Sequence, residues 1–405
     1  MEIRPILSTL RRHKTAAALI VVEIALSCAI ICNALFLIGN RLERMDRPSG
    51  LAEDEVVRVQ LTGIGRDDNP QALTESDLGL LRSLPGVKAA SATNQIAFGN
   101  SSWNSGVKLS QEQKLSTLNA TTYLGDEQLL DTLGLNLVEG RRFNPDEFVK
   151  YDDEQAKIPS AIITRAMAQK LFPGESALGK TFYSWGDAPI KVIGIVDHLA
   201  RPSENVRGGP EAYEYSMLLP MKVSYSLGGN YLLRTEPGRR ADVLKAAVAA
   251  LERNSPNRII LKQETVEELR EAYYRQDRSM AWLLVAVCIA LLVVTALGIV
   301  GLASFWVQQR TKQIGIRRAL GSTRGQILRY FQTENFLLAT IGIVIGMTLA
   351  YSANLWLMQR YELPRLPLMY LPCGALALWL LGQLAVLGPA RRAAAVPPAV
   401  ATRSA

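Results

Sequence analysis

Cysteine and histidine are scarce in this chain of 405 residues, which contains four cysteines and two histidines. The cysteines all fall in apolar stretches, at Cys28, Cys32, Cys288 and Cys373. Because the long polar part of the chain has no cysteine, it is not a domain held together by disulfide bridges. Cys28 and Cys32 are one helical turn apart and point along the helix axis, which is a poor geometry for a bridge. We therefore interpret all four as packing residues, and we expect no metal site.

Charge is nearly absent from four stretches, which we predict as membrane spans at 15–40, 279–307, 335–358 and 366–388. Each stretch is long enough to cross a hydrocarbon core of ~30 Å, which takes about 20 helical residues. Glu23 is the only charged residue inside them. Residues 41–278 form a polar block between the first two stretches. The predicted fold class is an α-helical four-span transmembrane domain plus a large extracytoplasmic α/β (α+β) domain inserted between spans 1 and 2.

Positive charge is concentrated in the short segments beside these spans. Residues 41–278 carry a net charge of −3, whereas the rest of the chain carries +11. Since short positive segments stay in the cytoplasm, we expect 1–14, 308–334 and 389–405 inside and the polar domain outside. The pI near 9.3 is then a signature of membrane topology rather than of nucleic-acid binding. Within 1–14, the pattern fits either an amphipathic helix on the inner surface or an unstructured basic segment.

The polar domain shows the pattern of a mixed α/β fold. Two strand–helix–strand units are predicted near its ends, with helices at 75–84 and 238–254. We assign 51–100 and 205–263 to one lobe, which resembles a porter domain, and 101–204 to an inserted lobe. Residues 264–278 are charged and contain neither glycine nor proline, so we expect a stalk helix that runs unbroken into the second span.

One stretch of the inserted lobe, GESALGKT at 174–181, matches the phosphate-loop pattern G-x-x-x-x-G-K-[ST]. That chemistry needs a strand before the loop and a helix after it, whose first amides hold the phosphate. The pattern here predicts the reverse order, with a helix at 165–171 and a strand that begins at Thr181. We therefore expect no nucleotide site. We also find no pairing of a nucleophile with a base, so the chain is not predicted to be an enzyme.

Five motifs carry a specific resemblance to a known family. They are GRRFNPD at 140–146, AIITRAMAQKLFPGESALGK at 161–180, IKVIGIVD at 190–197, QRTKQIGIRRALGST at 309–323 and PARRAAAVPPAVATR at 389–403. Together they make the chain similar to the permeases of the MacB/FtsX-like ABC transporter superfamily, the four-span mechanotransmission type. The motifs lie in both the external domain and the membrane half, so the resemblance covers most of the chain.

The resemblance implies a set of partners and a location. Two permeases pair as a homodimer or a heterodimer in the bacterial inner membrane, with the large domain in the periplasm and both termini in the cytoplasm. A dimer of cytoplasmic ABC ATPases supplies the energy, with ATP and magnesium bound there and no cofactor in this chain. A periplasmic adaptor and an outer-membrane channel are further partners. Since few residues precede the first span, the ATPase is expected in a separate chain.

The segment between spans two and three is where the resemblance places the contact with the ATPase. Basic and apolar residues alternate there at helical spacing, which a topology signal alone does not require. Four apolar residues are expected to face the bilayer or the ATPase, namely Ile314, Ala319, Ile327 and Leu328. Four arginines are expected to stay in water, namely Arg310, Arg317, Arg318 and Arg324. The predicted coupling residues are Arg310, Lys312, Ile314, Ile316, Arg317, Arg318, Ala319, Leu320 and Gly321. Gln313 replaces the acid usual in the family, which argues against a charge pair there and favours an asymmetric pair of permeases.

Two further features lie within the predicted spans. Glu23 is either a gating or dimer contact, or a carboxylate held at a helix interface, and we favour the second interpretation. Gly342 and Gly346 form a G-x-x-x-G pattern on the third span, and Gly298 and Gly301 lie close together on the second. We expect these glycines to serve helix packing within the subunit rather than a dimer seam.

The function predicted from these observations is that of a permease subunit of an ABC transporter for efflux of a drug, a peptide or another envelope substrate. Members of the same superfamily that release lipoproteins or control cell-wall hydrolases are alternatives. A membrane-anchored periplasmic sensor or scaffold is the alternative of a different class, and it would need an intracellular signalling domain that the sequence does not show.

Overall fold

The structure, a computed structural model, describes residues 14–65, 69–99, 101–153, 157–203, 210–361 and 366–395. The predictions for residues 1–13 and for 396–405 lie outside this range. The chain divides into two compact units, Met1–Asp46 with Gln276–Ala405, and Arg47–Arg275. The first contains the apolar helices and is called the membrane unit below. The second contains the strands and is called the external unit.

The helices are α1 (Lys14–Met45), α2 (Pro70–Ser83), α3 (Leu129–Leu133), α4 (Arg165–Leu171), α5 (Arg240–Asn254), α6 (Val266–Tyr273), α7 (Arg275–Gln309), α8 (Thr311–Ala319), α9 (Arg324–Tyr361) and α10 (Tyr370–Ala395). Four of them, α1, α7, α9 and α10, are long and apolar enough to cross a membrane. The large α/β domain lies between α1 and α7 in the chain, so the predicted fold class is confirmed.

Glycines on α9 allow α1 to approach closely. A Cβ added at Gly342 would lie 2.9 Å from Cβ of Ile24, and one added at Gly346 would lie 2.5 Å from Cβ of Cys28. Real side chains cannot approach so closely, so both positions need glycine for this packing. The prediction that the G-x-x-x-G pattern serves packing within the subunit is confirmed.

The strands of the external unit are β1 (Val56–Gly63), β2 (Val87–Thr93), β3 (Asn104–Val107), β4 (Leu118–Leu124), β5 (Leu137–Gly140), β6 (Val149–Lys150), β7 (Ser160–Thr164), β8 (Thr181–Tyr183), β9 (Pro189–Val196), β10 (Ser216–Leu219), β11 (Met221–Lys222), β12 (Asn230–Thr235) and β13 (Arg258–Thr265). One sheet has the order β13-β1-β12-β2 and is antiparallel throughout. Its two strand–helix–strand units, β1-α2-β2 and β12-α5-β13, give the split βαβ arrangement of ferredoxin-like folds.

The second sheet is mixed and has the order β3-β4-β10-β7-β9-β5, with β8 also paired to β9. Parallel pairs join β4 to β10 and β7 to β9. Strand β10 therefore belongs to this sheet, although the predicted boundary at residue 205 placed it with the other lobe. The reason is that its four residues are all buried between β4 and β7. Strand β5, which follows the left-handed Gly134, was not predicted.

The predicted unbroken helix over 264–278 is wrong. Thr265 ends β13 and caps α6, because its hydroxyl accepts from the Glu268 amide at 3.1 Å while the Glu268 carboxylate accepts from the Thr265 amide at 2.8 Å. Tyr274 then interrupts the helix before α7 begins at Arg275. The Tyr274 ring is buried and lies 5.9 Å from the ring of Phe98. Burial of this aromatic ring accompanies the break, which needs neither glycine nor proline.

The motif at 140–146 has a structural role. Arg141 donates to both carboxylate oxygens of Glu147, at 2.7 and 2.9 Å, and the Asn144 amide donates to Glu147 at 2.7 Å. The bonds from Arg141 are the main reason that the pKa of Glu147 falls to about 2, from an ordinary value of 4.5. Gly140 has φ of +84° and no room for a Cβ beside the carbonyl of Ile193.

A buried ion pair ties the first sheet to its helices. Asp77 of α2 is fully buried and accepts from both terminal nitrogens of Arg258, from Tyr231 at 2.5 Å and from Asn254 at 2.8 Å. Burial, reinforced by the Asp77 charge, raises the pKa of Tyr231. The tyrosine therefore stays protonated and serves as a donor. Every lone pair of the carboxylate faces a donor, as a buried charge requires.

Candidate coupling site

The segment between α7 and α9 forms a short helix followed by a tight turn. Thr311 starts α8 with its hydroxyl donating to the carbonyl of Val307 at 3.0 Å. Gly321 has φ of +96° and ends the helical run, as predicted. A reciprocal pair of hydrogen bonds between Thr323 and Gln326, at 2.9 and 3.3 Å, then caps the start of α9. The sequence therefore specifies two helices and the turn between them.

The outward face of α8 is partly apolar. Ile316 is 53% exposed and Leu320 is 82% exposed, and Lys312 and Ala319 are exposed beside them. These positions recur every three to four residues, so they form one stripe along the helix. Large apolar side chains that are exposed on an otherwise polar helix are typical of a surface that another molecule covers.

Two apolar residues predicted for this outward surface are instead internal. Ile314 and Ile327 are buried and pack with Phe331 and with Ala390 and Ala393 of α10. Their burial fixes α8 against α9 and α10. The coupling surface predicted from the apolar pattern is therefore smaller than expected, and it excludes Ile314.

Arg310 was predicted to stay in water, and the structure shows that it is buried. Its Nη1 donates to both carboxylate oxygens of Glu334, at 3.1 and 2.9 Å, and its guanidinium lies 5.5 Å from the ring centre of Trp306. Glu334 is the only acid in 308–334, and a buried carboxylate needs a cation. Sequence reasoning missed this pair, although the isolated acid and the nearby tryptophan were its available signals.

The other arginines have separate environments. Arg317 is exposed and lies 5.1 Å from the ring centre of Tyr330, and Arg318 donates to the carbonyl of Ala394 at 2.7 Å. Arg324 is exposed, as predicted. Thus, of the basic coupling residues, Lys312 and Arg317 are exposed, Arg318 is half-buried and Arg310 is buried.

A cavity of about 140 Å³ lies beside α8, on a different face from the apolar stripe. Its wall combines apolar and polar side chains, namely Arg310, Gln313, Ile314, Arg317, Ser322, Gln326, Ile327, Tyr330 and Phe331. Gln313, one of the exposed residues of α8, is among them. The site thus has two parts, an outward apolar stripe and a neighbouring polar cavity.

Glu23 lies at a helix interface within the membrane unit. It is half-buried on α1, and its carboxylate rests against Gly298 of α7, where an added Cβ would come within 2.5 Å of Oε2. One turn further along, the hydroxyls of Ser27 and Thr295 are 2.8 Å apart. The contact fits the favoured interpretation of Glu23 as a carboxylate held between helices.

The loop at 174–181 has the element order predicted for it, with α4 before and β8 after. Lys180 forms an ion pair with Glu175 and lies 4.8 Å from the ring centre of Phe172. Its amine therefore contacts neighbouring residues of the same loop. The element that follows the loop is strand β8, so no helix N-terminus is available there to hold a phosphate.

Comparison with known proteins places the chain in a family. The profile of the MacB-like periplasmic core domain matches residues 18–251, and that of the FtsX-like permease C-terminal domain matches residues 285–398. The chain belongs to the ABC transporter permeases that combine these two domains. The predicted family is thereby confirmed.

Individual relatives agree with this placement. The chain is 24% identical to YknZ of Bacillus subtilis, described as an uncharacterized ABC transporter permease, over 99% of this chain and 98% of that protein. It is 28% identical to the macrolide export ATP-binding/permease protein MacB of Rhodospirillum rubrum, over 63% of this chain but only 39% of that protein. The chain thus matches about two fifths of the length of MacB.

Solved structures of external domains are also similar to part of the chain. The extracellular domain of YknZ, from Gram-positive bacteria, covers 51% of this chain at 22% identity, with a TM-score of 0.33. The periplasmic region of MacB from Actinobacillus actinomycetemcomitans covers 56% at 14% identity, with a TM-score of 0.34.

Proposed function

We propose that this chain is the permease subunit of an efflux transporter, driven by an ABC ATPase in a separate chain that docks on α8. The observation that carries the proposal is the exposed stripe of Ile316, Ala319 and Leu320, in the segment that matches the FtsX-like permease domain. ATP and magnesium bind to the ATPase in this scheme, and the permease contributes no catalytic residue.

Docking on this stripe would be a helix-in-groove contact. The apolar side chains enter a groove of the ATPase, and Lys312 and Arg317 form the polar rim. Movement of α8 is transmitted to α9 and α10 because the buried Ile314 fixes these elements together. In this proposal α8 lies on the cytoplasmic side of the bacterial inner membrane and the external unit lies in the periplasm, and the short basic loops support this orientation.

A second permease completes the transporter in this proposal. Helix α7 supports it, since little of its apolar length is buried within the subunit. Large side chains such as Trp282 and Leu297 are exposed on this helix, where lipid or a second permease can cover them. A periplasmic adaptor and an outer-membrane channel complete the export path, and the cargo is a drug, a peptide or another envelope substrate.

The test is the triple variant Ile316→Asp, Ala319→Asp and Leu320→Asp, assayed for co-purification with co-expressed ABC ATPases of the same organism. We expect loss of the ATPase, because three charges cannot enter an apolar groove without a large desolvation cost. Leu115→Asp is the matched control, since Leu115 has the same 82% exposure as Leu320 but lies in the external unit. Full ATPase binding by the triple variant would contradict the proposed docking face.

The same experiment separates a transporter from a membrane-anchored sensor. A sensor would show no ATPase partner and no ATP turnover with any co-expressed ABC ATPase. Stimulated ATP hydrolysis by the reconstituted wild-type complex, absent in the triple variant, supports the permease function.

A further inference from the structure

The polar cavity beside α8 shares Arg317 with the rim of the docking contact described above, and its other lining residues lie outside that rim and the apolar stripe. We propose that it binds the phosphate of an anionic phospholipid headgroup at the inner surface of the membrane. The inference rests on the proposed orientation, which places α8 in the cytoplasm, but not on the identity of the ATPase.

The cavity wall offers an unsatisfied donor. Arg310 lines the cavity, and its Nη2 is buried without a hydrogen-bond partner among the residues that the structure describes. Its Nη1 is already engaged by Glu334. A buried guanidinium N–H without an acceptor is unfavourable, so an acceptor oxygen in the cavity would stabilise this arrangement. A phosphate supplies several such oxygens and matches the planar geometry of arginine.

Further donors surround the same space. Arg317 lines the cavity and lies over Tyr330, a contact that restricts where its guanidinium can lie. Gln313, Ser322 and Gln326 add polar groups without negative charge.

The charge of the whole segment favours an anion. Residues 308–334 contain six Lys or Arg and one acid, and that acid is the buried partner of Arg310. Basic pockets between membrane helices on the cytoplasmic side are typical sites for anionic lipid headgroups.

The position of the cavity favours a lipid over an acidic side chain of the ATPase. Its lining residues on α8 are Gln313, Ile314 and Arg317, whereas the exposed apolar stripe lies about a third of a turn away. Aromatic side chains characteristic of the membrane–water interface, Trp306 and Tyr330, flank Arg310 and Arg317. The apolar wall, which includes Phe331, suits the glycerol and first acyl carbons below the phosphate.

The experiment measures lipid binding to the purified full chain in a neutral detergent by native mass spectrometry, without ATPase. Short-chain phosphatidylglycerol, short-chain phosphatidylcholine and inorganic phosphate are titrated separately. We expect phosphatidylglycerol to bind at least tenfold more tightly than the other two. Arg317→Gln should weaken that binding about tenfold, the effect of losing one charge-assisted hydrogen bond.

Two variants make the result specific. Arg324→Gln removes the same charge from an exposed arginine outside the cavity, and it should leave the affinity unchanged. Gln313→Glu keeps the size of an exposed side chain and brings an acid to the cavity wall. It should weaken phosphatidylglycerol binding at least as much as Arg317→Gln, and it serves as the test if Arg317→Gln fails to fold.

Other outcomes overturn the proposal. Equal binding of phosphatidylcholine would show that the headgroup charge is not recognised, and equally tight inorganic phosphate would indicate a free-anion site. Loss of ATPase co-purification in Arg317→Gln, with unchanged lipid affinity, would assign the cavity to the ATPase contact. Failure of the proposed function is distinguishable, because wild-type chain would then bind no ATPase while its lipid binding stayed intact.

Discussion

The buried carboxylate of Asp77 offers the sharpest test of what holds the external unit together. In Asp77→Ala, Arg258 would keep its charge in a site where its side chain is 2% exposed. Tyr231 and Asn254 would each lose the Asp77 acceptor in the same step, and Asn254 would keep its longer bond to the Ser76 hydroxyl at 3.3 Å. The guanidinium would retain the carbonyl of Leu251, to which its Nη2 donates at 3.1 Å, and the face of the Tyr225 ring, whose centre is 5.2 Å away, but no counter-charge.

The expected cost follows from these lost contacts. Removal of one partner of a buried ion pair typically costs about 3–5 kcal/mol, because the other charge remains desolvated. The free energy of unfolding of a domain of this size falls by about 3 kcal/mol per M urea, so the midpoint of urea unfolding should fall by about 1–1.7 M. The same loss is a large fraction of the ~5–15 kcal/mol that stabilises a typical domain.

The assay is equilibrium urea unfolding of residues 47–275, followed by tryptophan fluorescence, for wild type, Asp77→Ala and the double variant Asp77→Leu with Arg258→Met. The double variant removes both charges and fills the space, so it should recover most of the lost stability. A loss below about 1 kcal/mol in Asp77→Ala would refute the reasoning, because it would mean that water reaches Arg258. A double variant as unstable as the single one would place the cost in packing rather than in charge.

Three further predictions concern other sites. Lys180→Ala should leave ATP turnover of the permease–ATPase complex nearly unchanged, whereas a loss like that of a true phosphate-loop lysine would restore the nucleotide-site interpretation. Glu23→Gln should support assembly and transport while Glu23→Lys should not, since the cation would be forced against Gly298. Equal transport by both variants would show that the side chain of Glu23 makes no specific contact between the helices. The pKa of Glu147 is lowered to about 2, so its contribution to the free energy of unfolding, measured against Glu147→Gln, should be full above pH 4.5 and should disappear as the pH falls toward 2. A difference in unfolding free energy that stays constant across that range would disprove the pairing of Glu147 with Arg141.

Much of the fold could be predicted because its signals are local. Helix α4 has the bounds predicted for it, 165–171, and helix α5 ends at Asn254 as predicted. The four spans follow from the absence of charge alone. The break at Tyr274 could not be predicted in this way, since a strongly helical composition does not show that a single ring will be buried against Phe98.

The candidate site was predicted only in part for a related reason. The stripe of Ile316 and Leu320 and the turn at Gly321 depend on local spacing and were accessible to sequence reasoning. The burial of Arg310 depends on Glu334, which is 24 positions away in the chain, and on Trp306. An arginine in a basic loop is expected to be solvated unless its partner is known, so local spacing does not distinguish the buried Arg310 from the exposed Arg317 and Arg324.

Strands β1 and β13 are paired neighbours, with Val57 opposite Thr265, so the chain enters and leaves the first sheet at adjacent points. Their separation is fixed at one strand spacing, about 4.8 Å. The whole second sheet is inserted between β2 and β12, far in sequence from these two points. The external unit is thus modular, because its inserted lobe can be lengthened, shortened or exchanged for that of a relative while the two chain exits keep the same spacing.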